Sequence, residues 1–172
     1  MNWPEAVSKI TTVILDIDGV MTDGRIGYGD HENMKFFSIQ DGHAIKMAIK
    51  AGYKLGVISG RADAANKRRT EELGFHFVCL GEANKLEALH RCLNENNLEA
   101  DECIFMGDDV IDIKVMKSVG IGVAVHNAVD EVKAHADVIT KACGGNGAVR
   151  EILVRLMKDQ ERWDEAMQAY LP

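Results

Sequence analysis

The sequence predicts an α/β fold, a doubly wound, Rossmann-like parallel sheet with helices on both faces. Three observations carry this. Short apolar runs rich in β-branched residues recur along the chain, at 13–17, 55–59, 77–80, 103–106 and 121–125, with a shorter sixth at 138–140. Their hydrophobicity is continuous rather than alternating, which suits strands buried on both faces. Amphipathic stretches of helical period lie between them, and strand–helix alternation at this spacing is the pattern of a parallel sheet.

Each helical stretch has its own signal. Residues 42–51 place Ala44, Ile45, Ala48 and Ile49 on one face. The stretch 62–73 stops at Gly74, a natural helix terminator. Leu86, Leu89 and Leu93 form a stripe in 84–96, and 109–118 ends near Gly120. A short helix fits 129–135, and 147–160 aligns Val149, Ile152, Leu153, Leu156 and Met157. One segment breaks the rhythm. Residues 22–40 carry glycines at 24, 27 and 29 and an alternating run from Lys35 to Ile39. That pattern predicts a β-hairpin with its turn near 29–31. Inserted directly after the first strand, it projects over the carboxyl edge of the sheet, where open α/β folds bind ligands. The tail, 161–172, is amphipathic through Trp163, Met167, Tyr170 and Leu171, and either extends the last helix or docks on a partner. With no repeat, linker or low-complexity segment, residues 1–172 read as one domain.

Composition narrows the function classes. Hydrophobic residues make up 47% and charged residues 27%, enough apolar side chain for a core. The net charge of −7 makes nonspecific binding to a nucleic-acid backbone a poor expectation. A small anionic substrate remains compatible with it, because a local cluster can outweigh the global sign. No apolar run approaches the ~20 residues that span a bilayer. The four cysteines are widely spaced without a CxxC pair; three sit in apolar or helical contexts and read as buried thiols, and a reducing cytoplasm is the simplest compartment.

Four strand tips carry the chemistry. The first ends in Asp16-Ile17-Asp18-Gly19, two carboxylates that repel one another unless a cation or proton separates them. An acidic turn closing a strand is the plain alternative. The second ends in Ser59-Gly60-Arg61: a hydroxyl, a glycine backbone and a guanidinium able to grip phosphate oxygens. A helix cap with its arginine in solvent would look the same. Lys85 opens a helix, where a cation opposes the macrodipole, so an anionic neighbour would account for it better than local stability. The fourth tip is Gly107-Asp108-Asp109, with Asp112 four residues after Asp108. Helical spacing would set Asp108 and Asp112 on one face. Carboxylate oxygens so grouped are the ligands Mg²⁺ takes. All four tips fall on the same edge of the inferred sheet.

Taken together, DxDGV at 16–20, Ser59, Lys85 and GDDxxD at 107–112 resemble the four motifs of the haloacid-dehalogenase superfamily of phosphotransferases. DGVMTDG (18–24), KFFSIQDG (35–42), ISGR (58–61) and GGNGAVRE (144–151) resemble, more closely, the tetrameric 3-deoxy-D-manno-octulosonate 8-phosphate phosphatases. The resemblance runs from about Val13 to Leu156.

It implies a Mg²⁺-dependent phosphatase of a sugar-acid phosphate. Asp16 would be the nucleophile and Asp18 the acid and base. Ser59 and Lys85 would bind the phosphoryl group, with Gly60 and Arg61 on the substrate. The metal would sit on Asp16, Asp108 and the backbone carbonyl of Asp18, with Asp109 and Asp112 orienting these ligands. Only 41 positions separate Asp18 from Ser59, so the hairpin stands in place of a cap domain. The resemblance further implies a cytoplasmic homotetramer whose hairpins cover one another, acting on a small molecule without nucleic acid or membrane. Arg150 reads as a basic contact or an ion-pair partner. Asn146 stands where the family often has a basic residue. Two alternatives remain: a phosphatase of nine-carbon, sialic-type 9-phosphates, and a non-catalytic tetramerisation module of the type fused to nucleotidyltransferases.

Overall fold

The computed structural model describes residues 3–29 and 33–171. A short helix α1 (Trp3–Ala6) precedes β1 (Thr12–Leu15). The two-residue strands β2 (Gly27–Tyr28) and β3 (Asn33–Met34) follow, then α2 (Ile39–Lys50) and β4 (Lys54–Ser59). Next come α3 (Ala64–Leu73), β5 (Phe77–Leu80), α4 (Lys85–Asn96) and β6 (Cys103–Gly107). The chain continues through α5 (Ile113–Met116), β7 (Ile121–Ala124), α6 (Asp130–Lys133) and β8 (Val138–Ile139). It ends in α7 (Ala148–Asp159) and α8 (Trp163–Met167).

The main sheet has six strands in the order β5-β4-β1-β6-β7-β8, and every pairing is parallel. Strand order therefore reverses between β1 and β6, the switch point at which doubly wound sheets open a crevice at their carboxyl ends. All four residues of β1 are fully buried, as its continuous Thr-Val-Ile-Leu run requires in a strand covered on both faces. Helix α2 packs on α3 and α7, and α4 on α5. Right-handed crossovers put these groups on opposite faces. No helix among the described residues is long and apolar enough to cross a membrane.

Three sequence expectations need correction. The hairpin is shorter than 22–40: its described pairing is Gly27 with Met34 and Tyr28 with Asn33. The alternating run does not continue as a strand, because the Ser38 hydroxyl accepts the Asp41 amide at 3.2 Å and caps a helix that starts at Ile39. The expected turn at 29–31 falls largely on residues 30–32, outside those described. Second, 109–118 is not one helix. A 3-10 turn at Val110–Asp112 precedes α5, and Asp109 caps that turn. Asp108 and Asp112 therefore meet through a loop rather than along a helical face. Third, the tail does not extend α7. Glu161 takes a positive φ of 58°, and α8 turns back. The Arg162 guanidinium lies over the buried Tyr53 ring, and the Tyr170 ring meets His43 edge-on at 5.2 Å.

Candidate active site

The switch point brings the four strand tips into one cleft of about 490 Å³. Asp16, Asp18, Ser59, Gly60, Arg61, Lys85, Asp108 and Asp109 all line it, with Gly24, Ile26 and Ile111 at its margin. The joint pattern inferred from separate tips is thus one place in space.

β1 delivers the two aspartates differently. The Asp16 amide donates to Met106 of β6 at 3.0 Å, so Asp16 still belongs to the sheet edge and its side chain is 4% exposed. After it the chain coils: Met21 and Thr22 both donate to the Ile17 carbonyl. Gly19, at φ 89°, allows this bend. A Cβ there would also collide with the Asp108 carboxylate. Asp18 emerges on the bend with its side chain 22% exposed, open to the cleft. The 143–147 loop backs the bend. The Gly145 amide donates to Val20 at 2.9 Å, and a Cβ on Gly144 would overlap the Gly19 carbonyl. The loop glycines thus support the site from behind.

Lys85 answers the question its position raised. Its Nζ lies 3.1 Å from Asp16 Oδ1 and donates to Asp112 Oδ1 at 2.7 Å, with the side chain 3% exposed. Burial works against its charge, but Asp16 and Asp112 outweigh burial and hold the ammonium's pKa above its ordinary value. Asp112 is wholly buried, and its Oδ2 accepts the amides of Asp108 at 3.1 Å and Asp109 at 3.4 Å. It therefore orients both Lys85 and the loop bearing Asp108. Asp109 is exposed and its carboxylate accepts the Val110 amide at 2.7 Å, so it shapes the turn.

Charge in this inner cluster does not balance. Oxygens of Asp16, Asp108 and Asp112 all lie within 4.8 Å of one another, against the single ammonium of Lys85. Burial pushes the Asp16 carboxyl up to about 7, with Asp112 adding to the effect and Lys85 opposing it. Burial, then Asp16 and Asp112, raises Asp108 to about 7. Asp16 Oδ1 is buried and accepts no aligned hydrogen bond. A hard divalent cation fits such a set: it offers charge to clustered carboxylates and a second cationic partner to Asp16 Oδ1, which Lys85 approaches at 3.1 Å without an aligned hydrogen bond.

Ser59 is 1% exposed and its Oγ accepts the Arg61 amide at 3.4 Å, which shapes the turn after β4. The Arg61 side chain is 56% exposed at the cleft mouth, with Nε 3.8 Å from Asp18 Oδ2. Arg150 lies apart from the cleft lining. Its amide, with that of Gly147, donates to Asp41, which tethers α7 to α2.

Sequence reasoning assigned no role to Lys35, although its side chain is fully buried. Nζ contacts Asp18 Oδ1 at 2.7 Å, Asp63 Oδ2 at 2.7 Å and Asn66 Oδ1 at 2.9 Å. The signal was its parity. Met34 and Phe36 are 57% and 76% exposed, and Lys35 between them turns its side chain inward. A cation there needs an acidic partner.

Comparisons with known proteins agree with this geometry. Residues 75–152 match the family model of the haloacid dehalogenase-like hydrolases. The chain is 37% identical over 159 residues to 3-deoxy-D-manno-octulosonate 8-phosphate phosphatase of Escherichia coli K12, covering 92% of this chain and 85% of that protein. The Moraxella catarrhalis phosphatase of that name, crystallised with magnesium, phosphate and KDO, superposes with a TM-score of 0.94 at 32% identity, covering 98% and 97% of the two chains. The cobalt-bound enzyme of Haemophilus influenzae gives 0.89 at 32% identity, covering 92% and 93%. With a full-length relative at this identity and the strand-tip cleft in place, the chain belongs to the 3-deoxy-D-manno-octulosonate 8-phosphate phosphatase family of the haloacid dehalogenase-like hydrolases.

Proposed function

We propose that this chain is a Mg²⁺-dependent phosphoric monoester hydrolase that converts 3-deoxy-D-manno-octulosonate 8-phosphate to the free sugar acid and inorganic phosphate. The observation that carries the reading is the convergence of Asp16, Asp18, Lys85 and Asp108 on one cleft. Asp16 attacks phosphorus through a carboxylate oxygen. The bond from phosphorus to the sugar oxygen breaks, and Asp18 gives that oxygen its proton. Water then attacks the aspartyl phosphate while Asp18 takes its proton, and the bond to Asp16 breaks to release phosphate. Lys85 and Ser59 bind the phosphoryl oxygens, where the transition state holds its charge. Asp112 keeps Lys85 aimed at Asp16. Gly60 and Arg61 face the remainder of the substrate, and the guanidinium matches a carboxylate with paired donors. Asp16, Asp108 and the Asp18 backbone carbonyl would hold the metal. When bound, Mg²⁺ screens the anionic nucleophile from the dianionic phosphate and neutralises charge on the transferring group.

The same reading takes 1–172 as one catalytic domain, with the 22–40 insertion in place of a cap. Tyr28, Met34, Phe36 and Ile39 are 57–85% exposed on and beside this insertion, an apolar surface that a homotetramer would cover. Four free thiols suit the cytoplasm.

The test is phosphate release from octulosonate 8-phosphate, a nine-carbon sialic-type 9-phosphate and plain hexose phosphates, with Mg²⁺ or with chelator. The expected result is highest kcat/KM on the octulosonate, abolished by chelation. Preference for the nine-carbon acid would reassign the substrate, and metal-independent turnover would remove the mechanism.

A further inference from the structure

We infer that Lys35 is a positioning residue for the reaction, holding the Asp18 carboxylate at the leaving-group oxygen, and that Asp63 and Asn66 hold Lys35 in turn. The inference rests on the reading of Asp18 as acid and base. Lys35 Nζ meets both Asp18 oxygens, at 2.7 and 3.0 Å. A carboxylate gripped through both oxygens loses the freedom to rotate about its last torsion. Asp18 needs that restraint, because it stands on a bend beyond the last ladder residue of β1 and is open to solvent. Asp16 has the sheet for support, and Asp18 has Lys35.

The ammonium is itself fixed. A lysine has three N–H donors. Here Asp18 Oδ2 and Asn66 Oδ1 accept hydrogen bonds at 3.0 and 2.9 Å, Asp63 Oδ2 is an ion-pair partner at 2.7 Å, and none of the side chain is exposed. Asp63 and Asn66 are anchored independently of Lys35. Asp63 Oδ1 caps α3 by accepting the Asn66 amide at 3.0 Å, and Asn66 Nδ2 donates to the Arg61 carbonyl at 3.3 Å. The clamp thus ties the segment after β3 to the first turn of α3 and to the loop carrying Arg61. Formal charge balances among Asp18, Asp63, Lys35 and Arg61, so this group needs no metal.

A general acid matters most when the leaving group is basic. An alkyl sugar oxygen needs a proton, whereas nitrophenolate leaves without one. The specificity constant reports steps up to formation of the aspartyl phosphate, so the later water step does not obscure the contrast. The experiment measures kcat/KM of Lys35→Met on a sugar phosphate and on p-nitrophenyl phosphate, with inhibition by inorganic phosphate and thermal melting alongside. Displacing a proton-transfer group costs about 10²-fold. The expected loss is about 10²-fold on the sugar phosphate and several-fold at most on the aryl ester, with phosphate inhibition unchanged. Lys35→Arg should restore part of the sugar phosphate activity. Asp63→Asn, which keeps the buried cation and an α3 cap, should reproduce the contrast at smaller size if Lys35→Met does not fold. Equal losses on the two substrates in the folded variants, or none, would overturn the inference. Asp18→Asn separates the two claims. If it shows the leaving-group contrast and the Lys35 and Asp63 variants do not, the clamp is wrong and the acid stands. If Asp18→Asn shows no contrast, both fall.

Discussion

Two buried lysines serve the two aspartates that follow β1, and their surroundings differ in one respect. Lys85 touches Asp16 and Asp112, and Lys35 touches Asp18 and Asp63. Each pairs a carboxylate that lines the cleft with a second that braces it. Around Lys85, however, Asp108 brings a third carboxylate within 4.8 Å of the other two, while around Lys35 the guanidinium of Arg61 brings a second cation. The inner cluster keeps two uncompensated negative charges and the outer keeps none. Like charges in a low-dielectric site raise carboxyl pKa values, as they do for Asp16 and Asp108. The inner group therefore carries the negative charge that a cation would offset, and the outer group is balanced in formal charge.

The sharpest break of this contrast is Asp16→Asn. It removes the nucleophile and should cut phosphate release by about 10⁴-fold or more. It also removes a repelling charge, so melting temperature and oligomeric state, read by calorimetry and sedimentation, should hold. Full turnover in this variant would end the nucleophile assignment.

A second effect separates the clusters by pH. Asp16 and Asp108 sit near 7 in the metal-free fold, above the ~3.9 of an unfolded aspartate. Between these values the folded chain holds more protons than the unfolded one, so stability falls as pH rises from about 4 to about 7. Melting of the metal-free protein should drop by roughly 10–20 °C between pH 5 and pH 8 through these two groups. Mg²⁺ competes with those protons, so the melting increment it gives should be larger at pH 8 than at pH 5. An increment independent of pH would separate metal binding from the inner carboxylates.

The smallest effect lies at the rim. Arg61 is 56% exposed, so solvent weakens what it contributes. Arg61→Glu should lower kcat/KM on octulosonate 8-phosphate by about tenfold more than on an aryl phosphate. Equal losses would take Arg61 out of substrate recognition.

Much of this was legible in the residues. The strands were readable because burial on both faces demands unbroken apolar runs, as in Val13-Ile14-Leu15 and Ile104-Phe105-Met106. Helices were readable from apolar stripes such as Leu86, Leu89 and Leu93, and Gly74 ended α3 in the left-handed region. Spacing misled at Asp108 and Asp112, because the Asp112 side chain turns inward to accept two backbone amides and the helix begins after it. It misled again at 35–39, where alternation fitted a strand but Ser38 started a helix.

By itself the sequence determined the parallel sheet and the chemical content of its tips, because strand burial and strand ends are set by residues near one another in the chain. Only the tertiary structure decided which acid each lysine serves. Lys35 and Asp63 are 28 positions apart, as Lys85 and Asp112 are 27 apart, and neither pairing has any local signal. Such partners are chosen by the crossover of helices over a sheet, and a buried charge must accept whichever counter-charge that packing brings to it.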